Sequence, residues 1–194
     1  MDRAVPQTYV AAEKHFLPDD GIFPNNAALP LLLYRATMPE HDTEARASAF
    51  ERAFTRNGWH GTWRDGVFPY HHYHAEAHEV LGVAAGEAQL IFGGEGGVTV
   101  TIRPGDAVVI PAGVAHRNLG STSDFLVVGA YPVGQSPDMR TGRPDERERA
   151  LRTIPRVALP DADPIHGPGG PLDRHWHPAH RTGPVAVDLP AQRE

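Results

Sequence analysis

The feature that most restricts the possible folds is a succession of short β-prone runs between residues 61 and 132. The runs alternate with turns and cover residues 67–74, 79–84, 88–92, 98–102, 107–110 and 125–131. Several of the turns are rich in glycine, as in the GGEGG sequence at 93–97. Short strands at such regular spacing argue against a βαβ fold. The pattern therefore predicts an all-β fold, a sandwich or a barrel.

The length of the chain predicts one domain. A chain of 194 residues buries one sizeable core and rarely two. We expect a single domain over residues 1–194, with its barrel core at about 61–132. Residues 1–60 then form an N-terminal extension, and residues 133–194, which are rich in proline, glycine and arginine, form a segment that wraps the barrel.

Two helices are expected outside the barrel core. Asp42 or Thr43 can cap a helix that continues to about Arg56, with an apolar stripe along one side. Pro144 suits the first position of a short C-terminal helix that reaches about Arg152. The charges of this second helix alternate in sign, which is typical of a solvated face.

Composition excludes several classes of function. The chain has 18 basic and 24 acidic side chains, so its net charge of −6 argues against broad nucleic-acid binding. It has no cysteine, which excludes disulfides and thiolate metal sites. No run of about 18 apolar residues is present, so we expect no membrane span. The N-terminus lacks the pattern of a secretory signal, and we expect a cytoplasmic protein.

The histidines are the residues that indicate chemistry, and the first group of them lies in residues 66–86, GVFPYHHYHAEAHEVLGVAAG. Side chains two apart on a strand share a face, so His72 and His74 can point into one cavity. Glu79 lies an odd number of residues beyond His74 and cannot share that face on an unbroken strand. A bend near residues 75–77 must therefore begin a new strand at Glu79.

The second group lies in residues 105–116, GDAVVIPAGVAH. A strand ends here in a Pro-x-Gly turn, and His116 begins the next element and faces back toward the first group. Imidazoles with one carboxylate suit one divalent transition metal, Fe, Mn, Ni or Zn, and not a dedicated calcium or magnesium cage.

At these residues the chain resembles the cupin superfamily. The first stretch matches the first cupin motif, G(X)5HXH(X)4E(X)6G, at Gly66, His72, His74, Glu79 and Gly86. The resemblance implies a double-stranded β-helix, a jelly-roll-like barrel, with a metal inside its mouth. Three histidines and one glutamate hold that metal in cupins, which here implies the ligands His72, His74, Glu79 and His116.

The second stretch matches the second cupin motif, G(X)5PXG(X)2H, at Gly105, Pro111, Gly113 and His116. It departs from the motif at Gly120, where cupins have asparagine; this position bears on a turn and not on the metal. Over most of its length the chain also looks like a group of little-characterised bacterial single-domain cupins. The runs FPYHHYH at 68–74 and HEVLGV at 78–83 carry much of that likeness.

Other side chains near the motifs have more than one possible role. Some cupins space the acid one residue closer, which makes His78 a competing fourth ligand, although alternation sends His78 and Glu79 to opposite faces. Phe68 and Tyr70 share the ligand-facing side by the same alternation and are expected to line a substrate pocket. The histidines between residues 175 and 180 are expected to form a surface segment or an accidental metal-binding site.

Two classes of function fit this reading. In the first, the protein is a metal-dependent enzyme acting on a small organic substrate, most simply an Fe(II)-type dioxygenase, with isomerase or lyase chemistry as the alternative. Glu79 then also serves as the catalytic base. In the second, the protein is a non-catalytic module that binds or senses a small ligand. We also expect a homodimer, with the apolar run Leu31-Leu32-Leu33 as a candidate edge strand that pairs with a partner. The alternative is that this strand extends the sheet of its own barrel and leaves the chain monomeric.

Overall fold

The computed structural model describes residues 11–177, which form nine strands and three α-helices. The strands are β1 (Glu13–Leu17), β2 (Asn26–Tyr34), β3 (Trp59–Asp65), β4 (Glu79–Ala85), β5 (Ala88–Phe92), β6 (Val98–Ile102), β7 (Ala107–Ile110), β8 (His116–Ser121) and β9 (Leu126–Pro132). The helices are α1 (Thr43–Arg56), α2 (Pro144–Thr153) and α3 (Pro171–Trp176), and a 3-10 turn, Ile154–Arg156, follows α2. The all-β prediction is confirmed. No helix within 11–177 is long and apolar enough to cross a membrane.

The strands form two antiparallel sheets. The larger sheet has the order β1-β2-β7-β4-β9-β3, and the smaller has the order β6-β5-β8. Apolar side chains from both sheets meet between them in one cluster. Strands β1 and β2 come from the expected N-terminal extension, and they continue the larger sheet beyond β7.

Both faces of the larger sheet are covered by apolar clusters, as the alternating side chains of β4 illustrate. Leu81 and Val83 point into the core between the sheets, whereas Val80 and Ala84 point outward to a second apolar cluster. A strand buried on both faces reads as a continuous apolar run, which is why the sequence here does not alternate with polar residues.

Helix α1 supplies much of that outer cover. Asp42 caps it by accepting a hydrogen bond from the Ala45 N–H at 2.9 Å, and the helix ends at Asn57. Phe50 and Phe54 are fully buried against the outer face of the sheet. The predicted cap and length of this helix are confirmed, as is the short helix after Pro144.

The predicted strand at 67–74 is wrong. Residues 66–78 are irregular apart from two isolated bridges, one between His72 and His116 and one between Tyr73 and Arg140. The aromatic residues of this stretch gave it a strand-like composition, but its backbone meets β8 only in isolated hydrogen bonds at Phe68 and His72, and no regular ladder forms. It crosses the end of the barrel instead.

The interpretation of Leu31, Leu32 and Leu33 as an edge strand is also wrong. β2 lies between β1 and β7, and all three leucines are fully buried within the chain itself. Leu31 and Leu33 belong to the core between the sheets, and Leu32 belongs to the outer cluster. These leucines therefore stabilise the monomer and offer no surface to a partner.

The C-terminal segment is fastened to the barrel by one buried carboxylate, that of Asp163. It accepts hydrogen bonds from the Tyr34 hydroxyl at 2.7 Å and from the Leu172 N–H at 2.9 Å. It also accepts from the N–H groups of Ile165 and His166, both at 2.9 Å. Helix α3, which the sequence analysis did not predict, begins beside this carboxylate and packs on the outer apolar cluster.

Candidate metal centre

Three histidines meet at one end of the barrel. His72, His74 and His116 are buried, and their ligand nitrogens lie within 4.8 Å of one another. The backbones of His72 and His116 pair directly, with N–H to O distances of 3.1 and 2.9 Å, and the His74 carbonyl accepts from the Gly113 N–H at 2.8 Å. The irregular stretch is thus fixed to the start of β8.

Glycine is required at position 113 for this arrangement. Its φ of +93° lies in the left-handed region, which side chains other than glycine rarely adopt. A Cβ atom there would also lie 2.5 Å from the Asn25 carbonyl oxygen. The Pro-x-Gly turn therefore directs His116 back toward His72, as the sequence pattern predicts.

Backbone carbonyls set the orientation of all three imidazoles. The Nδ1 atoms of His72 and His116 each lie 3.2 Å from a carbonyl oxygen two residues earlier in the chain, and His74 Nδ1 contacts the Asp138 carbonyl. A carbonyl oxygen only accepts, so each Nδ1 carries the proton. In the neutral ring Nε2 is then left with a free lone pair, the form in which histidine binds metal.

Glu79 faces the same space from the first residue of β4. Its Oε2 lies 3.6 Å from His74 Nε2 and 3.4 Å from His116 Nε2. The residue is only 3% exposed, and Oε2 has no hydrogen-bond partner among the described residues. A buried carboxylate oxygen without a partner is costly unless a cation compensates it.

The pKa shifts at this site also indicate that a positive charge beside Glu79 is favourable. Burial alone would raise the pKa of Glu79, but the imidazoles of His74 and His116 lower it well below its usual range. Burial opposes protonation of His74, yet the Glu79 carboxylate raises its pKa above the ordinary value. Burial lowers the pKa of His72 to about 3, and the nearby His116 adds to this effect. His72 is therefore neutral at physiological pH.

The histidines next to these four residues point elsewhere. His78 is buried on the outer side of β4, where its ring packs on Trp176 at a centroid distance of 4.7 Å and its Nδ1 accepts from the Ala112 N–H at 2.9 Å. His71 packs on Phe23 at 5.2 Å. The alternation argument thus places Glu79, and not His78, beside the three histidines.

A cavity of about 220 Å³ opens in front of this cluster. Beyond the four residues already named, its walls include Trp63, Asp65, Phe68, Leu81, Tyr131 and Met139. Phe68 is therefore in the position that the sequence predicts for a pocket residue. Tyr70 does not line the cavity: it is 46% exposed and stacks on the outer side of Phe68, with ring centroids 5.0 Å apart.

The sequence analysis missed Tyr131, which stands beside Glu79. Tyr131 lies on β9 in alternation with Val127, whose side chain faces the core, so period two along this strand could have placed it inside. Trp63 Nε1–H donates to its hydroxyl oxygen at 3.0 Å. Trp63 can lie there because position 129 is glycine: a Cβ on Gly129 would come within 2.1 Å of the indole.

Asp138 holds the His74 loop from the segment that follows β9. Its carboxylate accepts hydrogen bonds from the N–H groups of Ala75 and Glu76 at 2.7 and 3.0 Å, and it pairs with Arg140 at 2.6 Å. Its carbonyl orients the His74 ring, as described above. Nothing in the local sequence around residue 138 indicated this role.

The donor set fits a first-row transition metal. Three imidazole nitrogens and one carboxylate oxygen suit Fe, Mn, Ni or Zn, and the buried carboxylate lacks only a cation. Among the described residues, the histidine group that begins at His175 adds no ligand to this set. His177 Nε2 lies 3.0 Å from the Pro160 carbonyl, and His180 lies outside the described residues.

The two cupin motifs, the two-sheet barrel and the histidine cluster define one class of protein. A family model described as "Cupin domain" matches residues 59–128. The chain belongs to the cupin family.

Among known proteins, the chain is similar to the "Uncharacterized protein YjlB" of Bacillus subtilis (strain 168). The two are 47% identical over 164 residues, which cover 84% of this chain and 96% of YjlB. The expected likeness to little-characterised bacterial cupins is confirmed.

Solved structures show more distant likeness. A cupin 2 domain-containing protein from Halorhodospira halophila is 12% identical with a TM-score of 0.33, and the match covers 77% of this chain and 83% of that one. An acireductone dioxygenase from Bacillus anthracis, solved with a cadmium ion in its active centre, is 16% identical with a TM-score of 0.36. That match covers 50% of this chain and 65% of the dioxygenase, just under two thirds of it. Likeness at this level does not extend to substrate or metal.

Proposed function

We propose that this cupin is a metal-dependent enzyme that acts on a small organic substrate, and that it is an Fe(II)-type dioxygenase. The observation that carries the proposal is the set of three oriented imidazoles beside the buried Glu79 carboxylate, whose Oε2 has no hydrogen-bond partner among the described residues. The ligands are His72, His74, His116 and Glu79. A bound iron would supply Lewis acidity and the capacity to activate O2, since four protein ligands leave coordination positions open.

The protein residues have distinct roles in this proposal. The carbonyl contacts at Nδ1 keep the three imidazoles in the tautomer that presents Nε2 to the cavity. Glu79 balances part of the metal charge and is the base that takes a proton from a hydroxyl group of the substrate. Phe68 and Trp63 cover the substrate and exclude water. Tyr131, whose oxygen already accepts from Trp63, retains its proton because burial and the Glu79 charge raise its pKa, and it donates to an oxygen of the substrate.

The test begins with the metal. Protein purified without an affinity tag or added metal is subjected to elemental analysis, and we expect close to one first-row divalent ion per chain. The metal-free protein is then reconstituted with Fe(II), and oxygen consumption is followed with a library of diols and carbonyl compounds.

A variant with His72, His74 and His116 all changed to alanine is the control, and it is expected to lose the ion. Full retention of metal by this variant would place the ion elsewhere, with the histidines at 175–180 as the first alternative. A redox-inert native metal together with no turnover would contradict the dioxygenase and favour a binding or sensory module.

We propose further that the protein is a homodimer whose interface does not include the leucines of β2. In the described part of the larger sheet, β1 is an edge strand, and its Phe16 is 60% exposed. Static light scattering distinguishes a dimer from the 21.1 kDa monomer. The mass is expected to fall toward that of the monomer in Phe16→Asp, and a monomeric wild-type protein at micromolar concentration would contradict the proposal.

A further inference from the structure

The size of the cavity limits the ligand. An apolar cavity of about 150 Å³ is enough for a benzene ring. The cavity in front of the histidines measures about 220 Å³, which is below the range of about 300–1,000 Å³ that is usual for drug-sized ligands. It therefore admits a molecule of roughly one ring or one short branched chain.

The walls of the cavity limit the charge of a ligand that binds there. Trp63, Phe68, Leu81 and Met139 give it apolar sides, and neither an arginine nor a lysine is among its wall residues within 11–177. The charged side chains other than histidine are the carboxylates of Glu79 and Asp65. A second anionic group on a ligand would meet no cation in these walls and would be repelled by Asp65.

The metal end of the cavity differs from its walls. A divalent ion with Glu79 as its one anionic ligand would retain a single positive charge, which one acidic group of a ligand can balance and to which one neutral oxygen donor can bind. Tyr131 adds a hydroxyl proton at this end, because its oxygen is already engaged by Trp63 Nε1–H. The charge and the hydrogen-bond donor therefore lie together, away from the apolar sides.

From these features we infer the substrate class, resting on the proposed function. The site takes a small organic molecule with one acidic or oxygen-donor end and an uncharged remainder. It selects against dicarboxylates, 2-oxo dicarboxylates among them, and against phosphate esters. Met139, which is 48% exposed at the cavity wall, is a position where one substitution can change that selection.

The test compares two ligands of the same size on protein loaded with Co(II) in the absence of oxygen. 5-Methyl-2-oxohexanoate and 2-oxoglutarate have the same 2-oxo acid end, and they differ only in an uncharged or a carboxylate tail. Calorimetry and the visible spectrum of Co(II) report binding without any turnover. We expect the uncharged tail to bind at least about tenfold more tightly.

Two matched variants test the cause. Met139→Arg places a cation in the wall and is expected to reduce the preference at least about threefold. Val133→Arg adds the same charge at a residue that is 63% exposed and not part of the cavity wall, and it is expected to leave the preference unchanged. Equal or tighter binding of 2-oxoglutarate by the wild type, or no binding of either compound, would overturn the inference. Failure to take up Co(II) would instead refute the metal site of the proposed function.

Discussion

Asp163→Asn is expected to destabilise the protein strongly, although the change alters one atom of a residue far from the metal centre in the sequence. Each oxygen of the buried Asp163 carboxylate accepts two hydrogen bonds. Oδ2 takes those from the Tyr34 hydroxyl and the Leu172 N–H, and Oδ1 takes those from the N–H groups of Ile165 and His166. An asparagine must put its amide nitrogen in place of one oxygen. At Oδ1 the nitrogen would face two backbone N–H groups, and at Oδ2 it would face the Leu172 N–H and the Tyr34 hydroxyl, which can turn and accept. The second placement loses one hydrogen bond, and the charge of the carboxylate is lost in both.

The magnitude follows from the count of bonds lost. A hydrogen bond to a charged group contributes about 1.5–3 kcal/mol, so loss of the Leu172 bond costs about that much, and the other three bonds weaken when the carboxylate becomes a neutral amide. A neutral amide is less costly to bury than a carboxylate, which offsets part of this loss. We therefore expect the free energy of unfolding to fall by about 3 kcal/mol, a large share of the roughly 5–15 kcal/mol that is typical of a domain.

Urea denaturation at pH 7 measures this change. Trp59 and Trp176 both report on the segment, because Trp59 Nε1–H donates to the Ala162 carbonyl at 3.0 Å and Trp176 Nε1–H to the Pro30 carbonyl at 2.9 Å. Asp161→Asn, at an exposed residue two positions earlier, is the matched control and should change stability by less than about 0.5 kcal/mol. A loss below about 1 kcal/mol in Asp163→Asn would refute the reasoning.

Three further predictions concern the site and its surroundings. Glu79→Gln removes the anionic ligand and should weaken divalent metal binding by more than about 100-fold, measured by competition with a chelator; unchanged affinity would exclude Glu79 as a ligand. Asp138→Ala releases the loop that carries His74 and should weaken metal binding by about 10–100-fold, whereas Asp124→Ala, at an exposed residue, should have no effect. Burial lowers the pKa of His78 to about 4, below the 6.5 of an unfolded histidine, so the unfolded state binds more protons between these values and stability falls as the pH drops from 6.5 to 4. The free energy of unfolding of the metal-free wild type should therefore fall by up to about 3 kcal/mol more over that range than that of His78→Asn. In this variant the side-chain carbonyl replaces Nδ1 as the hydrogen-bond acceptor. Parallel pH profiles of the two proteins would contradict the prediction.

Spacing in the sequence was sufficient to predict much of the fold and the candidate ligands. Glu79 begins a strand, and the odd interval from His74 correctly required an interruption between them. The reason given for the shared direction of His72 and His74 was nevertheless wrong, because no regular strand holds them. Backbone pairing of His72 with His116, which are far apart in the sequence, brings the side chains together, and local propensity contains no information about such pairing.

The rest of the site depends on contacts between distant segments. Met139 reaches the cavity, and Asp138 reaches the His74 loop, from an irregular segment whose sequence has no periodicity. Helix α3 has only six residues, too few to be stable alone, and its position depends on Asp163 and on the outer apolar cluster. Leu31 to Leu33 were read as an uncovered edge because nothing in the sequence shows that residues 13–17 return to cover them.

The attachment of the His74 loop to Asp138 has a consequence for biosynthesis. Translation completes all four proposed ligands with His116, but the carboxylate that fixes the loop emerges 22 residues later, at position 138. A nascent chain can thus expose three histidines and a glutamate to cellular metals before they have their final geometry. Flexible ligands discriminate among divalent ions only by affinity, which is highest for copper. Ligands held in a fixed geometry also discriminate by the coordination geometry that each ion prefers. A chain that folds as far as residue 138 before it binds metal therefore adds this geometric selection to selection by affinity.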